Sequence, residues 1–160
     1  MQLRLSLALI LLAGTLALPA AAGGAPRASE VVPGQRVGLV KIGMTKRQVD
    51  ARLHVVTRVP PHAYLYKYPK VSFFEVVFSG GRVDAVITQG RRFNYRGVRL
   101  GQRRVRAARG LRRRHFTSFD CAGLNGMAGY FRKTIRYDLD QRKRRLQTLT
   151  VGHDVRPSCE

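Results

Sequence analysis

Tryptophan is absent from the 160-residue chain, and cysteine (two), methionine (three), histidine (four) and acidic residues (nine) are scarce. Each scarcity removes a class of function. Four histidines at positions 54, 62, 115 and 153 show no H-E-x-x-H or other metal-ligand spacing, so no metal site and no cofactor is expected. Carboxylates are too few for paired acid–base chemistry. Asp138 and Asp140 share one side of a strand, but among so many arginines they read as ion-pair partners, and positive surroundings disfavour a protonated carboxyl. His115, Ser118 and Asp120 are close in sequence, yet no nucleophile elbow or glycine-built oxyanion turn accompanies them. The glycine-rich run from Cys121 to Gly129 lacks the Lys-Ser/Thr ending of a phosphate-binding loop and reads as a flexible loop. The chain is therefore expected not to be an enzyme.

Long hydrophobic runs are missing too. The only sustained one, Leu5 to Leu18, is shorter than the roughly 20 residues that span a bilayer. It follows a lone charge at Arg4 and precedes Ala20-Ala21-Ala22, an A-x-A pattern. That is a signal peptide over residues 1–22, cleaved near Ala22, and it implies a secreted or extracytoplasmic product with no transmembrane span. A linker rich in Ala, Gly and Pro follows, taken as flexible over residues 23–36.

What is present in excess is positive charge. Thirty Lys and Arg, 24 of them Arg, give a formal charge of +21, or +20 without Arg4. A polyanion partner accounts for such a field. So does codon bias, since Ala and Gly are abundant as well. The sharpest clusters are Arg112-Arg113-Arg114, at the exit of a predicted helix that also carries Arg103, Arg104, Arg106 and Arg109, and Arg142-Lys143-Arg144-Arg145 at a predicted hairpin tip. Both are candidate polyanion contacts. Their bland alternative is a solvated, solubilising face.

Two cysteines in an exported chain point to a disulfide between Cys121 and Cys159, with free thiols or a metal pair aided by His115 and His153 as alternatives. In the chain-entropy model, closing a loop of 37 intervening residues stabilises by about 4 kcal/mol.

The chain also resembles itself. Val40-Lys41-Ile42-Gly43 recurs 58 residues later as Val98-Arg99-Leu100-Gly101, followed at equal offsets by Val49 and Leu53 in one copy and Ala107 and Leu111 in the other. Thr45-Lys46-Arg47-Gln48 has capping-box form and predicts a helix start, whereas the second copy has Gln102-Arg103-Arg104-Val105 and a weaker start. Each copy ends in a hairpin, the first turning at Gly80-Gly81 and the second through the polar stretch Asp140 to Arg145. Upstream of the first hairpin, Tyr64, Tyr66 and Tyr68 alternate with Leu65 and Lys67, placing three phenols on one strand face, either a recognition platform or core.

These features over about residues 37–152 resemble the small exported modules of the SmpA/OmlA family, especially the tandem arrangement of the β-lactamase inhibitory protein type. The resemblance implies helices packed on an antiparallel sheet in each module, and action by binding other proteins. A lipid-modified cysteine, found in the lipoprotein branch, is missing. The expectation is an α+β fold of two tandem modules, residues 37–95 and 96–160, each a short helical segment on an antiparallel sheet with a terminal hairpin. The expected function is exported, non-catalytic binding of a protein partner, or alternatively electrostatic binding of wall polymer, lipid headgroups or nucleic acid.

Overall fold

A computed structural model of the chain describes residues 28–121, 127–140 and 142–157. Short strands β1 (Val31–Val32), β2 (Arg36–Val37) and β3 (Val40–Lys41) form a three-stranded sheet and lead into helix α1 (Lys46–Asp50). Four strands follow: β4 (His54–Val59), β5 (Ala63–Lys67), β6 (Phe74–Ser79) and β7 (Arg82–Thr88). The sequence of elements then recurs. A ribbon of β8 (Asn94–Tyr95) and β9 (Val98–Arg99) precedes helix α2 (Arg104–Arg112), and then come β10 (Thr117–Cys121), β11 (Met127–Arg132), β12 (Ile135–Asp140) and β13 (Arg145–Gly152).

Local chemistry explains the element boundaries. The Thr45 hydroxyl accepts the Gln48 backbone N–H at 3.3 Å, and the Gln48 side chain accepts the Thr45 N–H at 2.9 Å, so both bonds of the capping box form. At the start of α2, Arg103 occupies the cap position with no side-chain bond. Between β6 and β7, Gly80 and Gly81 take φ of +54° and +73°, the left-handed pair that a two-residue hairpin turn requires.

All eight long strands join one antiparallel sheet in the order β10-β11-β12-β13-β7-β6-β5-β4. The period-2 pattern sorts its side chains. Phe74, Val76 and Phe78 of β6, Val83 and Val86 of β7, Ile135, Tyr137 and Leu139 of β12, and Leu146, Leu149 and Val151 of β13 face inward and are buried. Val49 of α1, Ala107 and Leu111 of α2, and Val37, Val40, Val98 and Leu100 from the short-strand segments lie on them in one continuous core. Every buried side chain of the helices and short strands thus lies on the inner face.

This architecture corrects the expected α+β pair of modules. The fold is mostly β, with helices of only five and nine residues, and the sheet does not divide at the repeat boundary. β13 pairs with β7 from Leu149↔Thr88 to Gly152↔Ala85. Separate sheets would each leave a strand edge of unpaired N–H and C=O groups at this seam, and joining them satisfies both. The flexible linker is corrected at its end as well. From Glu30 onward the chain is built into the fold: Val31 is buried, Glu30 bridges to Asn94, and Arg36 pairs with Glu30 at 2.6 Å.

Candidate functional site

The β12–β13 turn is bound to the start of α2 by main-chain bonds. Gly101 donates its N–H to the Leu146 carbonyl (2.7 Å), Leu146 donates to Gln102 (3.0 Å), and Arg104 donates to the Arg144 carbonyl (2.8 Å). Arg103 and Arg145 form an isolated bridge, and Arg145 Nη1 donates to the Gly101 carbonyl at 3.2 Å. The cations at the helix start and at the hairpin tip, about 40 residues apart in sequence, therefore become neighbours. Between them lies a cleft of about 740 Å³ lined by Arg103, Arg104, Lys143, Arg144 and Arg145, with Asp120 and Asp140 as its carboxylates. It adjoins a second of about 550 Å³, which shares Arg103 and Arg145 and adds Arg91, Arg99 and Arg106.

Of the two carboxylates, Asp140 is already engaged. It accepts the Lys143 backbone N–H at 3.0 Å and lies 3.5 Å from Lys143 Nζ, and this backbone bond, with the nearby ammonium, holds its carboxyl below the usual range. Arg91, Arg99, Arg103, Arg104, Arg106 and Arg144 form no ion pair among the described residues.

The residues expected from sequence thus separate. Arg142, Lys143, Arg144 and Arg145 are all exposed at the tip. Arg112 and Arg113 are exposed at the far end of α2, beside Tyr130. Arg114 belongs to the scaffold: its guanidinium donates to the carbonyls of Gly110 (2.6 Å) and Arg96 (2.9 Å), tying α2 to the β8–β9 turn. Arg91 and Arg99 were not singled out from the sequence, because nothing local marks an arginine that only the fold brings to a cleft.

The tyrosine row is largely core. Tyr68 is 2% exposed, stacks on Phe74 with ring centroids 4.4 Å apart, donates its hydroxyl to the Ala28 carbonyl and accepts the Leu39 N–H. Tyr66 is 3% exposed and donates to Asp50 Oδ1 at 2.8 Å. Only Tyr64 is half-buried, its ring edge-on to Phe78 and under Lys46 Nζ at 4.7 Å. The three phenols do share a face, but it is the face that the helices cover, which removes Tyr66 and Tyr68 as a recognition platform.

The opposite, outer face of the sheet is a second candidate surface. Register places Leu65, Val77, Ile87, Phe119 and Phe131 there, all half-buried. Phe119 and Phe131 meet edge to face, with centroids 6.0 Å apart. In the body of the face Glu75 and Asp138 stand against Lys67 and Arg136, while at the hairpin ends Arg82 and Arg145 turn away onto the Gly43 and Gly101 carbonyls and Asp140 lines the cleft. Asp138 Oδ1 lies 3.0 Å from Arg136 Nε, but the N–H is not aligned for a hydrogen bond. Burial pushes the Glu75 and Asp138 carboxyls up, and Arg136 opposes the shift at Asp138.

Among the described residues no group of three or more His, Cys, Asp or Glu side chains could hold a metal ion, and no helix is long and apolar enough to cross a membrane. The signal peptide over residues 1–22 and Cys159 lie outside the described residues; Cys121 ends β10.

No protein-family model and no curated protein matches the sequence. Among solved structures, a cysteine-rich secretory protein from Staphylococcus aureus subsp. aureus Mu50 is similar at a TM-score of 0.46 and 17% identity, over 79% of this chain and 49% of that one, so this chain spans about half the length of that protein.

Proposed function

We propose that the chain is an exported, non-catalytic binding protein that holds another folded protein against the outer face of its sheet. One observation carries this reading. In a chain with thirty cations and nine acids, the body of the outer face presents two carboxylates, two cations and five half-buried apolar side chains. A polyanion has nothing to grip there. Apolar patches rimmed by polar groups suit a protein surface. The resemblance to exported protein-binding modules points the same way. Export follows from the signal sequence, and in that compartment Cys121 and Cys159 are bonded. Intact mass of the exported protein should begin near Gly23, and native protein should show no titratable thiol.

The test is co-purification from culture and envelope fractions at about 0.5 M salt, which screens exposed charges beyond a few ångströms. A specific protein should remain bound to the wild type and to Val105→Glu, on the exposed side of α2. It should be lost with the double variant Leu65→Glu/Ile87→Glu, with circular dichroism showing the fold retained. Capture that is indifferent to the face variant, or that vanishes with salt alone, removes this reading.

A further inference from the structure

We propose that the cleft between the start of α2 and the β12–β13 turn binds a linear phosphate polymer, gripping its backbone without reading its side groups. This rests on different residues from the outer-face reading and stands independently of it.

The positive charge here does not serve the fold. Arg103, Arg104 and Arg106 occupy the cap and first turn of α2, the positive end of the helix dipole, where cations are unfavourable, and no acidic residue is in that turn. The first copy caps its helix with Thr45, pairs Lys46 of the first turn with Asp50, and turns its hairpin at an uncharged Gly80-Gly81. The scaffold therefore folds without cations at the cap or the hairpin tip, and with one of its helix-start cations neutralised. Nor is the charge scattered as codon usage alone would scatter it, since the outer sheet face is nearly neutral while the cleft gathers arginines that lack carboxylate partners. Guanidinium groups this close repel one another unless an anion lies between them.

The geometry narrows the ligand. The two larger clefts meet at Arg103 and Arg145, and a third of about 260 Å³ joins them through Arg91 and Arg145, so a chain can pass from Arg144 by Arg145 to Arg91. A flat bilayer cannot follow that concave path. Arginine's planar fork matches two phosphate oxygens at once, which a lone ammonium cannot do. Among the described residues no aromatic side chain lines these three clefts, so they offer no platform on which a base could stack. The shared chemistry is a run of phosphates, supplied by inorganic polyphosphate or by a nucleic-acid backbone.

Binding of the full exported chain to polyphosphate, to single-stranded DNA and to phosphatidylglycerol vesicles, measured across a salt series, tests this. Arg91, Arg104, Arg106 and Arg144 are exposed and make no side-chain hydrogen bond among the described residues, so changing all four to Gln should leave the scaffold intact. A control with Lys41, Arg47, Arg58 and Arg132 changed to Gln removes equal charge elsewhere. The cleft variant should bind at least one polymer about tenfold or more weakly at low salt, with a log–log salt slope shallower by up to about 3, while the control keeps the wild-type slope. The polymer more affected identifies the source. Equal losses in the two variants would show that only net charge matters and would overturn the proposal, as would binding to vesicles without binding to either polymer.

Discussion

Gly43 and Gly101 hold the same backbone conformation, φ of +83° in each, and each donates its N–H at 2.7 Å to a strand of the following hairpin, Gly43 to Val83 and Gly101 to Leu146. The glycine of each V-x-(I/L)-G motif is thus the point where the segment before a helix is fastened to the strand that leaves the hairpin turn.

Replacing either glycine by alanine should cost about 1–2 kcal/mol, the penalty of a left-handed conformation with a Cβ. Space is not the obstacle: a Cβ at Gly43 meets nothing within 4 Å, and at Gly101 it meets only the movable Arg91 side chain at 3.2 Å. Thermal unfolding of the two variants should give similar losses. A neutral Gly43→Ala would show that the turn relaxes without φ strain.

The bare cap of α2 predicts a trade between stability and binding. Arg103 already has the extended backbone of an N-cap, φ −61° and ψ 141°. Arg103→Ser should supply the missing side-chain bond and stabilise by roughly 0.5–1 kcal/mol. It should also weaken polyphosphate binding. A stability gain with unchanged binding would take Arg103 out of the cleft's function.

A continuous sheet across the β7–β13 seam predicts one cooperative unfolding transition for residues from both repeats. Leu149, 1% exposed and paired with Thr88 across the seam, should cost about 2–5 kcal/mol when changed to Ala, moving the whole transition. Two resolved calorimetric transitions, with only one displaced by Leu149→Ala, would contradict a shared sheet.

Glu75 gives the pH dependence a definite sign. Burial raises its carboxyl above the ordinary value, so between the two the folded state holds a proton that the unfolded state has released. Its contribution is therefore unfavourable at neutral pH and becomes less so as pH falls through the raised value. Glu75→Gln should be more stable than wild type near neutrality, with the difference vanishing toward about pH 4, where the unfolded carboxyl also protonates. Urea midpoints of both proteins over that range check it, and a constant difference would point to a packing effect instead.

How much of this was legible beforehand follows from the range of each interaction. The Thr45 cap, the Gly80-Gly81 turn and the inward positions Val49, Leu53, Ala107 and Leu111 are set by neighbours a few residues away, and the sequence showed each of them. The tyrosine alternation was equally plain, but which side of the strand the helices cover is a tertiary fact, and it placed Tyr66 and Tyr68 in the core. The second candidate surface had no local signal at all, because Leu65, Val77, Ile87, Phe119 and Phe131 come from five strands and share a face only through register.

By itself, then, the sequence determined that its elements recur in two copies, the start of the first helix, the two hairpin turns, and the amount and sign of its charge, all of which depend on residue type and short spacing; the run from Cys121 to Gly129, which reads as loop, instead ends β10 and begins β11. Tertiary structure alone decided that eight strands form one sheet instead of two, because the β7–β13 pairing joins strands more than 50 residues apart and is driven by the need to satisfy two exposed edges. It also decided where the charge collects. The Gly101–Leu146 and Arg104–Arg144 bonds press a hairpin tip against a helix start, turning two separate runs of arginine into one cleft, while strand register keeps the outer face nearly free of that charge.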